Sequence, residues 1–130
     1  MKFMLLIYND SQMLDAQPAE EFNTDMRNCL AHADELKQEG RLLESQMLKP
    51  APTAKTVRIR NGRQMTHDGP FAEAKEVLGG FNLIEAENMD EAIRMAAEFP
   101  WAKTGSVEVR ALEDVDAMRK RVGAVESSRV

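Results

Sequence analysis

Residues 66–76 have the sequence Thr-His-Asp-Gly-Pro-Phe-Ala-Glu-Ala-Lys-Glu, and the fold is best worked out from this stretch outward. It combines the turn-forming Asp68-Gly69-Pro70, the ring of Phe71 and several charged side chains, between two segments that are typical of strands. Surface connections seldom contain a phenylalanine and so many charges, and loops held by a rigid scaffold often carry function. We therefore predict a structured turn that is also a candidate functional loop.

A β-hairpin is predicted immediately before this stretch. Asn61-Gly62 separates two alternating segments, residues 56–60 and 63–67, and both residues of such a turn must accept positive φ. A two-residue turn then determines the register, with the pairs Arg60–Arg63, Arg58–Met65 and Thr56–His67.

Hydrophobic periodicity predicts further strands and helices around the hairpin. The strands are residues 3–8, buried on both faces, 41–48, 77–86 and 106–112, and the helices are residues 18–40 and 88–99. Gly79-Gly80 predicts a bulge or a close backbone approach within its strand. Without the hairpin, the order is βαββαβ. The predicted fold is therefore α+β, ferredoxin-like with an inserted β-hairpin, and both helices cover one face of an antiparallel sheet.

The other face of this sheet must be polar or covered. The strand at residues 3–8 is apolar throughout, which favours a covered face, and a second copy of the chain is the simplest cover. We therefore predict a homodimer formed through the sheets. Residues 1–112 are predicted to form the α+β domain, and residues 113–130 a helical extension that is anchored by Met118 and Val122 and frays from about Ser127.

Composition excludes several classes of partner. The 130 residues include 17 basic and 22 acidic side chains, a net charge of −5, which argues against nucleic-acid binding and against attraction to an anionic membrane. The single cysteine, Cys29, cannot form an intrachain disulfide, and a small buried apolar role is favoured over a nucleophilic one. The apolar run at residues 3–8 is too short for a signal peptide, so a cytoplasmic location is predicted.

Several segments together share the pattern of a known family. They are Asp68-Gly69-Pro70-Phe71-Ala72-Glu73, Lys75-Glu76, Leu78-Gly79-Gly80-Phe81, residues 1–8, Thr56-Val57-Arg58 and Val107-Glu108-Val109-Arg110. Over about residues 1–112 the chain resembles the YCII-related proteins, in the branch named for its DGPF motif. The resemblance implies a dimeric α+β barrel. It implies little about the reaction, since relatives are suspected small-molecule enzymes with a pocket histidine and aspartate, a pair without a clear counterpart here. Ala74 stands where the family usually has threonine.

Three residues are the catalytic candidates: Asp68, His32 and His67. The Asp68 carboxylate could form an Asx-turn that shapes the bend and drives Phe71 inward, or it could be a general base with a histidine partner. His32 lies at the edge of the apolar stripe of the first helix, where packing against the sheet is the alternative to catalysis. No cofactor and no metal site are predicted, because none of the histidines or the cysteine has ligand spacing.

A second group of residues is predicted to bind ligand. Arg58, Arg60 and Arg63 share one face of the hairpin with His67, either as a solvated surface or as a wall for a small anion. Phe71, Glu73 and Lys75 belong to the loop, where the charged pair could instead form local ion pairs or reach a partner subunit. Trp101 either caps the core or stacks on a ligand.

Two functions remain open from the sequence. The first is a small-molecule-binding homodimer, with the loop closing a pocket between helix and sheet and Asp68 providing acid–base chemistry. The second is a non-catalytic interaction or structural module, favoured by the lack of an unambiguous catalytic constellation. A closed, ligand-filled cavity would favour the first function, and a stable complex with another protein would favour the second.

Overall fold

The computed structural model describes residues 1–124, and the predicted fraying from Ser127 lies outside them. The six strands are β1 (Lys2–Asp10), β2 (Leu42–Met47), β3 (Lys55–Arg60), β4 (Arg63–Asp68), β5 (Glu76–Glu85) and β6 (Gly105–Ala111). The four helices are α1 (Ser11–Ala16), α2 (Ala19–Gln38), α3 (Met89–Ala97) and α4 (Val115–Val122).

The main sheet is antiparallel and has the strand order β2-β5-β1-β6. With the hairpin left out, this is the order of the ferredoxin-like fold, so the predicted α+β class is confirmed. Strands β3 and β4 form a separate two-stranded sheet with the predicted register. Asn61 and Gly62 adopt φ of 52° and 74°, as their hairpin turn requires.

Both long helices pack on the same face of the main sheet. Its core-facing side chains alternate with partly exposed ones, as expected for a sheet covered on one side. The largest fully buried side chains are Phe3, Leu5, Ile84 and Met95. The predicted burial of β1 on both faces is wrong for the single chain, because Met4, Leu6 and Tyr8 point to the opposite face and are only half-buried there.

The ends of the helices follow their capping residues. Gly40 has a φ of +74° just after α2, and the side chain of Asn88 accepts a hydrogen bond from the backbone N–H of Glu91 at the start of α3. Helix α1 was not predicted. Its N-cap is Asp10, whose buried carboxylate accepts hydrogen bonds from the N–H groups of Gln12 and Met13 at 3.0 and 3.3 Å.

The β1–β5 ladder contains an irregularity that changes which face β5 presents. Ile7 pairs with Gly80, but the next residue, Tyr8, pairs with Leu78, so Gly79 is the extra residue of a bulge. A Cβ at Gly79 would overlap the side-chain amide of Asn9, so a larger residue here would require that side chain to move. The bulge predicted at Gly79-Gly80 is confirmed.

The chain continues after β6 into α4. The Asp114 side chain caps this helix, and Met118 and Val122 are exposed on it. The division of the chain at residue 112 stays a prediction. Within the described residues, no helix is long and apolar enough to cross a membrane.

Replacing Ile84 by alanine is expected to lower the free energy of unfolding by about 2–5 kcal/mol, because the change leaves a cavity in the core. Ile84 is 0% exposed. Ile59 is the matched control, because it is 64% exposed, and its replacement is expected to change that free energy by less than about 0.5 kcal/mol. Urea denaturation followed by circular dichroism measures both. Equal losses would contradict this core.

Candidate functional site

The loop between β4 and β5, residues 69–75, is held against β3 by three hydrogen bonds. Gly69 N donates to Ala54 O at 2.7 Å, and Thr56 Oγ1 donates to Gly69 O at 2.8 Å. Arg58 Nη2 donates to Phe71 O at 3.2 Å. We call residues 69–75 the connecting loop. Its start is therefore ordered by the hairpin that precedes it.

Asp68 is on the outside of the hairpin. Its side chain is 84% exposed and forms an ion pair with Lys55 Nζ. The predicted Asx-turn is wrong, because Asp68 ends β4 directly opposite Lys55 and its carboxylate pairs across the hairpin with that cation. The proposed role of Asp68 as a general base stays a prediction.

The other predicted loop residues differ from one another in their surroundings. Phe71 is 77% exposed, so the prediction that it turns inward is wrong for the single chain. Glu73 is exposed as well. Lys75 Nζ lies 3.6 Å from Oδ2 of the buried Asp10, which ties the end of the connecting loop to the start of α1.

The three catalytic candidates do not converge on one site. His32 Nε2 lies 2.7 Å from Glu98 Oε2, and its ring contacts Phe99 with centroids 5.1 Å apart. His32 therefore packs between α2 and the end of α3, whereas His67 is exposed on β4. His67 and Asp68 are consecutive strand residues, so their side chains point to opposite faces of the hairpin.

The predicted arginine face has the predicted register, with Arg60 opposite Arg63. Two of its guanidinium groups bind backbone carbonyls, since Arg58 donates to Phe71 O and Arg60 Nη1 donates to Ile59 O at 2.9 Å. Arg63 is exposed at the tip of the hairpin. Anion binding by this face stays a prediction.

A cavity of about 210 Å³ lies between α2 and the main sheet. Its walls are mostly apolar, with Phe22, Met26, Cys29 and Ala33 on α2, Ile7 on β1 and Trp101 beyond α3. The connecting loop is absent from its lining, so the prediction that this loop closes a helix–sheet pocket is wrong. Gly79 and Gly80, which belong to one of the segments that resemble the YCII-related family, line this cavity.

The sequence analysis missed the main polar group of this cavity, Asn82. Asn82 is 4% exposed, and its Oδ1 accepts a hydrogen bond from Ser45 Oγ at 2.6 Å. Its amide nitrogen, Nδ2, has no acceptor within residues 1–124. The available signal was a single amide at a core-facing position of an otherwise apolar strand, residues 77–84.

Cys29 and Trp101 form the second polar contact of the cavity wall. Burial raises the pKa of the Cys29 thiol, and a hydrogen bond from Trp101 opposes part of that rise. The indole ring also contacts Phe22, with ring centroids 6.2 Å apart. Trp101 thus both packs against α2 and faces the cavity.

A second, larger space of about 600 Å³ lies beneath the connecting loop. We call it the loop cleft. Tyr8 and Leu78 line it, and they belong to the sheet face that the helices leave uncovered. Lys49, Lys55 and Glu76 provide its charged groups, and none of the three was among the predicted site residues. Among residues 1–124, no three histidine, cysteine, aspartate or glutamate side chains lie close enough together to hold a metal ion.

The chain is similar to a solved structure at low sequence identity. A solved structure of 5-chloro-2-hydroxyhydroquinone dehydrochlorinase (TftG) from Burkholderia phenoliruptrix AC1100, in complex with 2,5-dihydroxybenzoquinone, is 18% identical. The match covers 87% of this chain and 94% of that chain with a TM-score of 0.43. At this level the likeness says nothing about activity.

Two further comparisons bear on the family. The uncharacterized protein R00369 of Rhizobium meliloti (strain 1021) is 39% identical over 114 residues, which are 86% of this chain and 92% of the relative. The model of the YCII-related domain matches residues 1–116. The chain therefore belongs to the YCII-related family.

Proposed function

We propose that this protein binds a small molecule in the cavity between α2 and the main sheet. The observation that supports this proposal is the amide of Asn82, which is 4% exposed and whose Nδ2 lacks an acceptor in the described part of the chain. Asn82 lines the cavity, so this amide can donate a hydrogen bond into that space. A bound ligand with an acceptor atom supplies the partner that the donor lacks.

The size and walls of the cavity define the class of ligand. A dry cavity of about 150 Å³ holds a molecule of the size of benzene, so about 210 Å³ suits a compound with a single ring or a short branched chain. Phe22, Met26 and Ile7 provide apolar contact, and Asn82 provides a donor. We infer an uncharged, mainly apolar ligand with one carbonyl or similar acceptor.

The groups that line this cavity favour binding over acid–base chemistry. Because burial raises the pKa of Cys29, its thiol stays protonated near neutral pH and is a weak nucleophile. Asp68, His32 and His67 are not among the lining residues. Catalysis by any of these three would need a substrate at the hairpin or beside α3, and it remains a prediction.

We also propose that the active form is a homodimer that covers the free face of the main sheet. Pairs of apolar side chains run along this face, namely Met4–Leu83 and Leu6–Phe81. Their half-buried state in the single chain leaves apolar area exposed to water. A second copy presents the same row, and a two-fold axis brings the two rows together.

The exposed hairpin supports a second candidate function, that of an interaction module. Phe71, Val57 and Ile59 are all more than half exposed, and they lie on or beside the hairpin rather than on the main sheet. Under this alternative another protein covers these side chains, and the helix–sheet cavity has no ligand.

Cys29 is expected to react with iodoacetamide at a pH midpoint above that of the unfolded protein, because its pKa is raised in the folded state. Since Cys29 is the only cysteine, the protein in urea is the matched control. Replacing Trp101 by phenylalanine removes the hydrogen bond that lowers this pKa, so the midpoint is expected to rise further. Alkylation rates between pH 7 and pH 10 measure this. A midpoint below that of the unfolded protein would contradict this environment.

Acetophenone is expected to bind more tightly than ethylbenzene, which has the same ring but no carbonyl. Asn82→Leu is expected to weaken acetophenone binding about fivefold and to leave ethylbenzene unchanged, because one hydrogen bond contributes about 1 kcal/mol. Asn88→Leu, on the surface at the start of α3, is the control for the substitution itself. Ligand-detected NMR titration gives the affinities. If neither compound binds the wild-type protein, the proposed function is wrong.

The wild-type protein is expected to be a dimer by light scattering after size-exclusion chromatography. Leu6→Lys is expected to yield a folded monomer, because it places a charge at the centre of the free face. Ile93→Lys changes a side chain that is about half exposed on α3 and is expected to leave the dimer intact. A wild-type monomer, or a Leu6→Lys dimer, would rule out this interface.

A further inference from the structure

The loop cleft contains a carboxylate whose hydrogen-bonding capacity is not used. Glu76 lines the cleft, and its Oε1 is buried without a hydrogen-bond partner in the described chain. A buried carboxylate oxygen in this position needs a donor, and a charged N–H group is the strongest kind. The cleft therefore favours a positively charged or N–H-bearing group beside Glu76.

The neighbouring lysine does not satisfy Glu76, because it binds elsewhere. Glu76 is opposite Asp10 in the β1–β5 ladder, which places two carboxylates next to each other. Lys75 Nζ lies 3.6 Å from Asp10 Oδ2, while Asp10 Oδ1 caps α1. The cation that is closest in sequence thus pairs with Asp10, and Glu76 has no ion-pair partner within residues 1–124.

Of the two lysines of the cleft, one is paired with a carboxylate and the other is not. Lys55 forms an ion pair with Asp68 across the hairpin. Lys49 also lines the cleft, and it has no carboxylate partner within residues 1–124. The cleft consequently presents one unpaired anion, Glu76, and one unpaired cation, Lys49.

The rest of the lining is largely apolar. Leu48, Val77, Leu78 and Phe71 contribute to the walls, together with the ring of Tyr8. Phe71 and Leu48 are both substantially exposed in the single chain, so a ligand in the cleft would remove apolar surface from water. A volume of about 600 Å³ is within the range of small-molecule sites.

We propose that the loop cleft is a binding site for a small zwitterion, namely a free α-amino acid with a large apolar side chain. The ammonium group binds Glu76, the carboxylate binds Lys49, and the side chain packs against Phe71 and Leu78. This site is distinct from the helix–sheet cavity and needs no ligand there. It also gives a function to Phe71 in the DGPF pattern, whose ring the single chain leaves exposed.

The test uses isothermal titration of the purified full-length protein with three related compounds. L-Phenylalanine carries both charges, phenethylamine lacks the carboxylate, and 3-phenylpropanoate lacks the amine. L-Phenylalanine is expected to bind about tenfold more tightly than either analogue, because each analogue loses one charge-assisted hydrogen bond.

Substitutions assign each charge to its residue. Glu76→Gln is expected to weaken L-phenylalanine binding about tenfold without changing the affinity for 3-phenylpropanoate, which lacks the amine. Lys49→Met is expected to weaken L-phenylalanine binding about tenfold without changing the affinity for phenethylamine, which lacks the carboxylate. The matched controls are Glu35→Gln and Lys37→Met, both exposed on α2, which are expected to bind as the wild type does. Thermal unfolding of each variant shows that it is folded.

Three results would overturn the proposal: no binding of L-phenylalanine to the wild-type protein, equal binding of phenethylamine, or unchanged affinity in both Glu76→Gln and Lys49→Met. Acetophenone binding reports separately on the helix–sheet cavity. It is expected to be the same in Glu76→Gln as in the wild type, so failure of one site is distinguishable from failure of the other.

Discussion

The bulge at Gly79 is the constraint on which both candidate sites depend. In a regular strand, residues 78, 80, 82 and 84 would all face the helices, because side chains alternate with a period of two. The extra residue breaks this alternation. Gly80, Asn82 and Ile84 face α2 and α3, whereas Leu78 faces the opposite side with Tyr8. One strand thereby lines a cavity on one face of the sheet and a cleft on the other.

The two faces of the sheet differ in the polar groups that lie on them. On the helix side the packing is apolar, and Asn82 is a buried amide with a hydrogen bond from Ser45 to one of its two polar atoms. On the other side, charged groups from β5, the hairpin and the segment after β2 meet apolar side chains around the loop cleft. A polar group has more effect where water is excluded, because the local dielectric is lower. Under the proposed function, Asn82 therefore discriminates between ligands through a single hydrogen bond.

Charged side chains on the connecting loop and on the hairpin hold the loop in place. Lys75 joins its end to Asp10, and Arg58 joins its middle to β3 through Phe71 O. Asp68, the residue with the strongest initial claim to chemistry, instead pairs with Lys55 on the surface of the hairpin. The DGPF pattern thus acts first as a means of positioning the loop over the sheet, and the groups that remain unpaired lie on either side of it.

The sequence by itself determined the local structure and the order of the elements. The register of the hairpin followed from Asn61-Gly62, because a two-residue turn with positive φ allows one pairing, and periodicity predicted which segments form strands and helices. The tertiary structure alone decided the exposure of Phe71, the partner of Lys75 and the side of the sheet on which the connecting loop lies. These features depend on contacts between residues far apart in the chain, such as Asp10 with Lys75, and on a bulge whose effect on facing appears only once β1 and β5 are paired. Spacing along the sequence carries no information about such contacts, so Phe71 and Trp101 could be named in advance, whereas Asn82, Glu76 and Lys49 could not.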